Sequence, residues 1–168
     1  MTKPQYTLLR FCVIVYRGML MRKITYSEEE TLALGRRLGE KAKTGEVYAL
    51  VGDLGVGKTV FAKGFAEGLG IGEAVNSPTF TILQIYETGR LPFYHFDIYR
   101  IEEPEEMDEI GYEEYFFGGG VCLVEWADIL PEIMPEETVW IRIEKDTEQG
   151  FFCRVIDIEG SNDGDIIV

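Results

Sequence analysis

Val47-Tyr48-Ala49-Leu50-Val51-Gly52-Asp53-Leu54-Gly55-Val56-Gly57-Lys58-Thr59 is the stretch that decides the fold. Its first five residues are apolar without a break, the pattern of a strand covered on both faces. Gly52 to Thr59 then match G-x-x-x-x-G-K-[ST], the pattern of a phosphate-binding loop. Phe61, Phe65 and Leu69 follow at four-residue spacing, with Ala62 and Ala66 beside them. That spacing predicts a helix over about 58–69, ended by Gly68, Gly70 and Gly72.

Each part of the loop has a chemical reason. Glycines let the backbone turn its N–H groups inward around phosphate oxygens. Lys58 reaches the β and γ phosphates as a point charge. The Thr59 hydroxyl is a ligand for Mg²⁺, and the helix that starts at Lys58 points its positive end at the anion. The expected nucleotide-binding set is Gly52, Asp53, Leu54, Gly55, Val56, Gly57, Lys58 and Thr59, with Val60 next on the helix. The expected ligand is a nucleoside triphosphate with Mg²⁺.

Upstream, Ser27-Glu28-Glu29-Glu30 reads as a capping box, a Ser with a Glu three residues on. Leu34, Leu38 and Ala42 continue at helical spacing, Arg36, Arg37, Lys41 and Lys43 crowd the C-terminal half where the helix dipole favours cations, and Gly45 can close the helix. Downstream, residues 81–86 and 91–97 read as two strands around the turn Glu87-Thr88-Gly89-Arg90. Residues 102–117 read as an acidic helix or a pair of short turns, broken at Pro104 and Gly111. Residues 121–124, 139–143 and 151–158 read as three more strands. Strands that alternate with helices early and become hairpin-like later predict a three-layer α/β domain of P-loop NTPase type, with a mixed sheet parallel at its centre.

Two acids stand at strand ends. Glu125 follows Val121-Cys122-Leu123-Val124 and leaves the sheet at its C-terminal edge, where open α/β sheets bind ligands. Asp97 closes Phe93-Tyr94-His95-Phe96, and period two puts Phe93, His95 and Asp97 on one face. One acid is expected to ligate Mg²⁺ and the other to orient water or the metal's waters. The cleaner apolar run before Glu125 favours it for the metal. His95 either contacts substrate or is a core histidine bonded to backbone. In Asn76-Ser77-Pro78-Thr79-Phe80, Pro78 forces Ser77 into extended geometry. The hydroxyls of Ser77 and Thr79 either sense the γ-phosphate or simply begin a strand. Trp126 is a core aromatic or a lever beside the metal acid, and composition favours the core.

The chain of 168 residues fits one domain with one sizeable core. A net charge of −14 makes unaided binding to nucleic acid unfavourable. Cys12, Cys122 and Cys153 are far apart and form no CxxC pair, so neither a disulfide framework nor a zinc site is expected and a reducing, cytoplasmic setting is the simplest fit. A single histidine excludes any scheme that needs two. The apolar run 8–16, broken by Arg10, is too short to span a membrane, and Arg17-Gly18-Met19-Leu20-Met21 is a poor signal-peptide cleavage site. Residues 1–20 read as an N-terminal extension, disordered or the product of an early start codon. Residues 21–160 read as a single domain and 161–168 as a polar tail.

Taken in order, the glycine loop, Ser77-Pro78-Thr79-Phe80, His95-Phe96-Asp97-Ile98-Tyr99-Arg100 and Glu125-Trp126 resemble the TsaE (YjeE) family, the small bacterial ATPase of the tRNA threonylcarbamoyladenosine machinery. The resemblance covers about residues 24–143. It implies ATP as the nucleotide and slow intrinsic hydrolysis stimulated by TsaD and TsaB. These subunits, with TsaC-type chemistry, modify the adenosine next to the anticodon of ANN-decoding tRNAs. Hydrolysis would reset that complex, and tRNA would be touched only indirectly. The same resemblance implies Thr59 and Glu125 on Mg²⁺ and Lys58, Asp97 and Glu125 in catalysis. It makes Ser77, Pro78, Thr79 and Phe80 a switch-like segment with Trp126 beside the metal acid, and brings Glu28 toward the adenine. Two rivals stand beside it. A small-molecule kinase would want an Arg-rich lid, whereas Glu102, Glu103, Glu105, Glu106, Asp108 and Glu109 follow the hairpin. A nucleotide-gated binding module would hydrolyse only incidentally. The lack of an N-K-x-D motif counts against a Ras-like GTPase.

Overall fold

Strands that are apolar on both sides need helices on both sides. The computed structural model of the chain describes residues 19–160. The first eighteen residues of the chain, with Cys12, and the polar tail 161–168 lie outside that range. The strands are β1 (Met19–Thr25), β2 (Val47–Val51), β3 (Leu83–Tyr86), β4 (Phe93–Asp97), β5 (Val121–Glu125), β6 (Val139–Lys145) and β7 (Arg154–Gly160). The helices are α1 (Glu28–Lys41), α2 (Lys58–Gly68), α3 (Pro104–Ile110) and α4 (Tyr112–Phe116). One seven-stranded sheet runs in the order β1-β7-β6-β2-β5-β4-β3. β6, β2, β5 and β4 are mutually parallel, and antiparallel β3 and β7 flank them, with β1 antiparallel to β7.

Alternation along the strands divides the core in two. Tyr48 and Leu50 of β2, Val121 and Leu123 of β5, and Phe93 of β4 face α1 and α2. Val47, Ala49, Val51, Cys122, Val124 and Phe96 face α3, α4 and two 3-10 turns, Ala127–Ile129 and Pro131–Ile133. The expected three-layer α/β arrangement with a mixed sheet is what forms.

Several boundaries move for local reasons. α1 starts at its Ser27 cap, whose hydroxyl accepts the Glu30 N–H, but the Glu30 carboxylate returns to Tyr26 N–H at 2.7 Å and not to the cap itself. The helix ends at Lys41 with Ala42 as its cap. Gly45 sits beyond it at φ 83° and donates to the Gly120 carbonyl. The strand expected over 81–86 begins only at Leu83, because Thr81 and Ile82 turn back to the Pro78 carbonyl and Ile82 takes φ 65°. The strand expected from 91 begins at Phe93. Arg90 is diverted to cap helix ends: its N–H reaches Leu69, and its guanidinium reaches the carbonyls of Gly39 and Ala42. The acidic segment is two short helices parted at Gly111 with φ 72°, whereas Pro104 opens the first of them and breaks none. Phe151 and Phe152 lie exposed in the β6–β7 turn, and β7 starts at Arg154. β1 was not expected. It takes in Met19 and Leu20, the last two residues of the expected extension.

α1 and α2 meet through glycine. A methyl group on Gly39 would lie 2.0 Å from the Phe65 carbonyl oxygen, and one on Gly64 would lie 2.0 Å from that of Leu32. Gly35 and Gly68 are equally tight against Phe61 and Arg36. This approach holds α2, and the loop at its start, against α1. Gly64→Ala therefore forces backbone apart and is expected to cost about 1–3 kcal/mol or more. Thermal denaturation should show a fall of about 2–4 °C per kcal/mol, while Gly72→Ala, with open space around it, should hardly move the midpoint.

Candidate functional site

The parallel strands β2, β5 and β4 all end at one edge of the sheet. β2 runs into Gly52, and the loop that follows uses left-handed backbone at Gly55 (φ 73°) and Gly57 (φ 110°). Side chains strain in that region, so glycine is needed there. Gly52 has a different reason, since a Cβ on it would lie 2.4 Å from the Ile143 carbonyl oxygen. Gly57 caps α2, so the helix N-terminus opens directly onto the loop.

Lys58 is 6% exposed. Its ammonium donates to the carbonyls of Gly52 (2.6 Å) and Asp53 (2.9 Å) and lies 3.8 Å from the centre of the Trp126 ring. Burial pulls its pKa below the ordinary lysine value, against the opposing pull of Glu125, Asp97, Asp128 and Asp53. A charged group held dry among carbonyls and a π face gains most from an arriving anion. Trp126 is set there by its own backbone. It takes φ 61° and donates its N–H to Leu50, so β5 steps across the end of β2.

Asp97 and Glu125 sit level in the β4–β5 register. Both project to the α1/α2 face, since they continue the alternation of Phe93 and of Val121 and Leu123. They are 2% exposed each. Asp97 is heavily engaged: Oδ2 accepts the hydroxyls of Ser77 (2.8 Å) and Thr79 (2.7 Å), and Oδ1 accepts the Tyr99 N–H (3.0 Å). Glu125 Oε1 lies 2.8 Å from His95 Nε2. His95 is thus neither bonded to backbone nor open to substrate. It is fully buried, stacked on Phe93, and its other nitrogen has no partner. With Glu125 as the carboxylate, Nε2 is the donor of the pair.

The expected site residues therefore converge on one edge of the sheet. Lys58, Thr59, Asp97, Glu125 and Trp126 belong to it, and Ser77 and Thr79 tie in through Asp97. Phe80 is the outlier: 82% exposed, it stacks under the Arg100 guanidinium and away from the core. Glu28 stands in the first turn of α1, next to the Ser27 cap. Among the described residues, no three or more His, Cys, Asp or Glu side chains form a metal cage. A cation here would be held by carboxylate, hydroxyl and ligand oxygens, an all-oxygen set that suits Mg²⁺. Cys122 and Cys153 are buried, and burial pushes both thiols up, which removes them as nucleophiles. Among the described residues no helix is long and apolar enough to cross a membrane.

The profile of the TsaE family, described as threonylcarbamoyl adenosine biosynthesis protein TsaE, matches residues 25–155. The chain belongs to the TsaE family. It is 53% identical over 121 residues to the tRNA threonylcarbamoyladenosine biosynthesis protein TsaE of Bacillus subtilis, covering 72% of this chain and 75% of that one. It is 43% identical over 123 residues to the protein of the same name from Treponema pallidum, covering 73% and 90%. The crystal structure of Bacillus subtilis YdiB superposes with a TM-score of 0.75 at 41% identity, over 88% of this chain and 89% of that one. Two contacts of this TsaE-family site escaped the sequence, the His95–Glu125 pair and a bond from Arg154 to the glycine loop. Alternation had put His95 and Asp97 on one face, but only the pairing of β4 with β5 brings Glu125 to the imidazole.

Proposed function

We propose that this chain is a P-loop ATPase of tRNA threonylcarbamoyladenosine modification, which binds ATP with Mg²⁺ and resets a TsaD–TsaB complex by hydrolysing it. The observation that carries this reading is the meeting of the glycine loop, Lys58, Asp97 and Glu125 at one sheet edge. Family membership supports the pathway, and the net charge of −14 supports indirect contact with tRNA, through the partner subunits.

The geometry supports a role for each part. The loop amides and the start of α2 cradle phosphate oxygens, with Lys58 reaching the β and γ groups. The Thr59 hydroxyl and the Glu125 carboxylate would hold Mg²⁺, which supplies charge neutralisation at the transferring phosphoryl group. Asp97 already accepts from two hydroxyls and an amide, which leaves Oδ1 room for one further donor and suits the orientation of water better than direct metal ligation. Through the same two hydroxyls, the segment Ser77-Pro78-Thr79-Phe80 senses whether Asp97 is otherwise engaged. Trp126 packs against Lys58 and couples the metal acid to Tyr99, whose ring lies 4.8 Å away.

His95 acts through Glu125 as a positioning residue. His95→Gln can still place an amide N–H near Glu125, whereas His95→Phe leaves the carboxylate without its donor. The Phe variant is expected to lose about 10–100-fold in turnover and to need more Mg²⁺ for half-saturation, with Gln recovering part of both. Equal loss in the two variants would contradict the role.

The function is tested by ATPase rate with and without TsaD and TsaB. Slow hydrolysis that the partners stimulate supports the reading. Labelled phosphate passing to a nucleoside or small acid would make the chain a kinase. An ATPase rate indifferent to the partners would make it a binding module.

A further inference from the structure

The glycine loop has a second support, from the far end of the chain. Arg154, the first residue of β7, lies on the α1/α2 side of the sheet, in alternation with Ile156 and Ile158. Its Nε donates to the Val56 carbonyl at 2.6 Å. Its Nη1 donates to the carbonyls of Phe151 (3.0 Å) and Cys153 (2.9 Å) in the β6–β7 turn. One planar guanidinium thus ties the β6–β7 turn to the glycine loop.

Val56 sits between Gly55 and Gly57, both in left-handed backbone. Glycine gives a peptide plane little steric reason to prefer one orientation over its flip. In a trans peptide the carbonyl and the following N–H point in opposite directions. Holding the Val56 carbonyl toward Arg154 therefore turns the Gly57 N–H away from β7. The buried Val56 side chain and the Val56 N–H bonded to Asp53 restrain the other half of the residue. Lys58 fixes the front of the loop through Gly52 and Asp53, and Arg154 fixes its back.

We propose that Arg154 is a positioning residue for the phosphate-binding loop, one that sets the Val56–Gly57 peptide so that the Gly57 N–H is preorganised to meet phosphate. In this role Arg154 acts through the Val56 carbonyl, with Nε and Nη1 committed to carbonyls. The proposal rests on the nucleotide reading for its consequence but not for its geometry.

Arg154→Met keeps the length of the stem and removes the donors. Arg154→Lys keeps a charge and one donor nitrogen, without the planar fork. Two readouts are needed on the full chain. Calorimetric titration with ATP in the presence of EDTA, well below the melting temperature, should give a dissociation constant raised about 10-fold for Met and less for Lys. Amide hydrogen exchange at Gly57, without nucleotide, should be faster in Met than in wild type. Unchanged affinity together with a lowered melting temperature would overturn the proposal, because Arg154 would then only staple the β6–β7 turn. Unchanged Gly57 exchange would overturn it too. If wild type ignores ATP, the nucleotide reading fails, while the exchange measurement still decides whether Arg154 holds the loop.

Discussion

Lys58→Met is expected to weaken ATP binding by about 30-fold or more while the chain stays folded. Loss of a buried charged partner costs about 2–5 kcal/mol in comparable contacts, and every 1.4 kcal/mol is about tenfold. The fold should tolerate the change because the ammonium is an uneasy occupant of its site. Burial pulls its pKa down even with Glu125, Asp97, Asp128 and Asp53 nearby. A thioether on a stem of similar length can still pack on the Trp126 ring. The Gly52 and Asp53 carbonyls lose a donor, but they belong to a loop whose residues 53–55 are exposed. Calorimetry with ATP, beside a melting curve, separates the two effects. A variant that binds ATP as wild type does would place the phosphates elsewhere.

Glu125→Gln is the second large effect, and it should fall on turnover and not on folding. The amide keeps an oxygen to accept from His95 Nε2, so the buried pair need not break. What disappears is the negative charge that would face Mg²⁺ beside Thr59. Loss of a group that acts mainly on developing charge costs on the order of 10²–10³ in turnover. ATP affinity without Mg²⁺ should stay near wild type or improve, since a carboxylate no longer opposes the triphosphate. A turnover number equal to wild type would remove Glu125 from the metal and give that role to Asp97. The corresponding Asp97→Asn change tests more than one function, because Ser77 and Thr79 both rest on the same oxygen.

The parts of this molecule that were legible in its sequence are those fixed by local rules. The apolar run of β2, the glycines after it and the spacing of Phe61 and Phe65 each follow from backbone geometry within a few residues. The Ser27 cap follows in the same way, as does the break at Gly111. The shared face of His95 and Asp97 needed only period two. What stayed hidden depends on which segments meet. β1 is an edge strand whose exposed face carries Leu20, Arg22 and Ile24, so neither a clean alternation nor an apolar run marks it. It is held by pairing with β7, more than a hundred residues later, and Arg22 makes a two-pronged bond to Asp157 there. Glu125 reaches His95 only because β5 lies beside β4, an order that no periodicity encodes. Arg154 reads as an ordinary charge at a strand start until the β6–β7 turn is seen to lean on the glycine loop. Phe151 and Phe152 misled in the other direction, since two aromatics in a row resemble a buried strand and here cap an exposed turn.

The role proposed for the loop from Gly52 to Thr59 is to hold the phosphates of ATP. Its most direct test is a calorimetric titration of the full chain with Mg·ATP, run beside Lys58→Met. Saturable binding of one ATP per chain, lost in the variant, is the predicted result. No heat at millimolar ATP, or equal binding by both proteins, would contradict it.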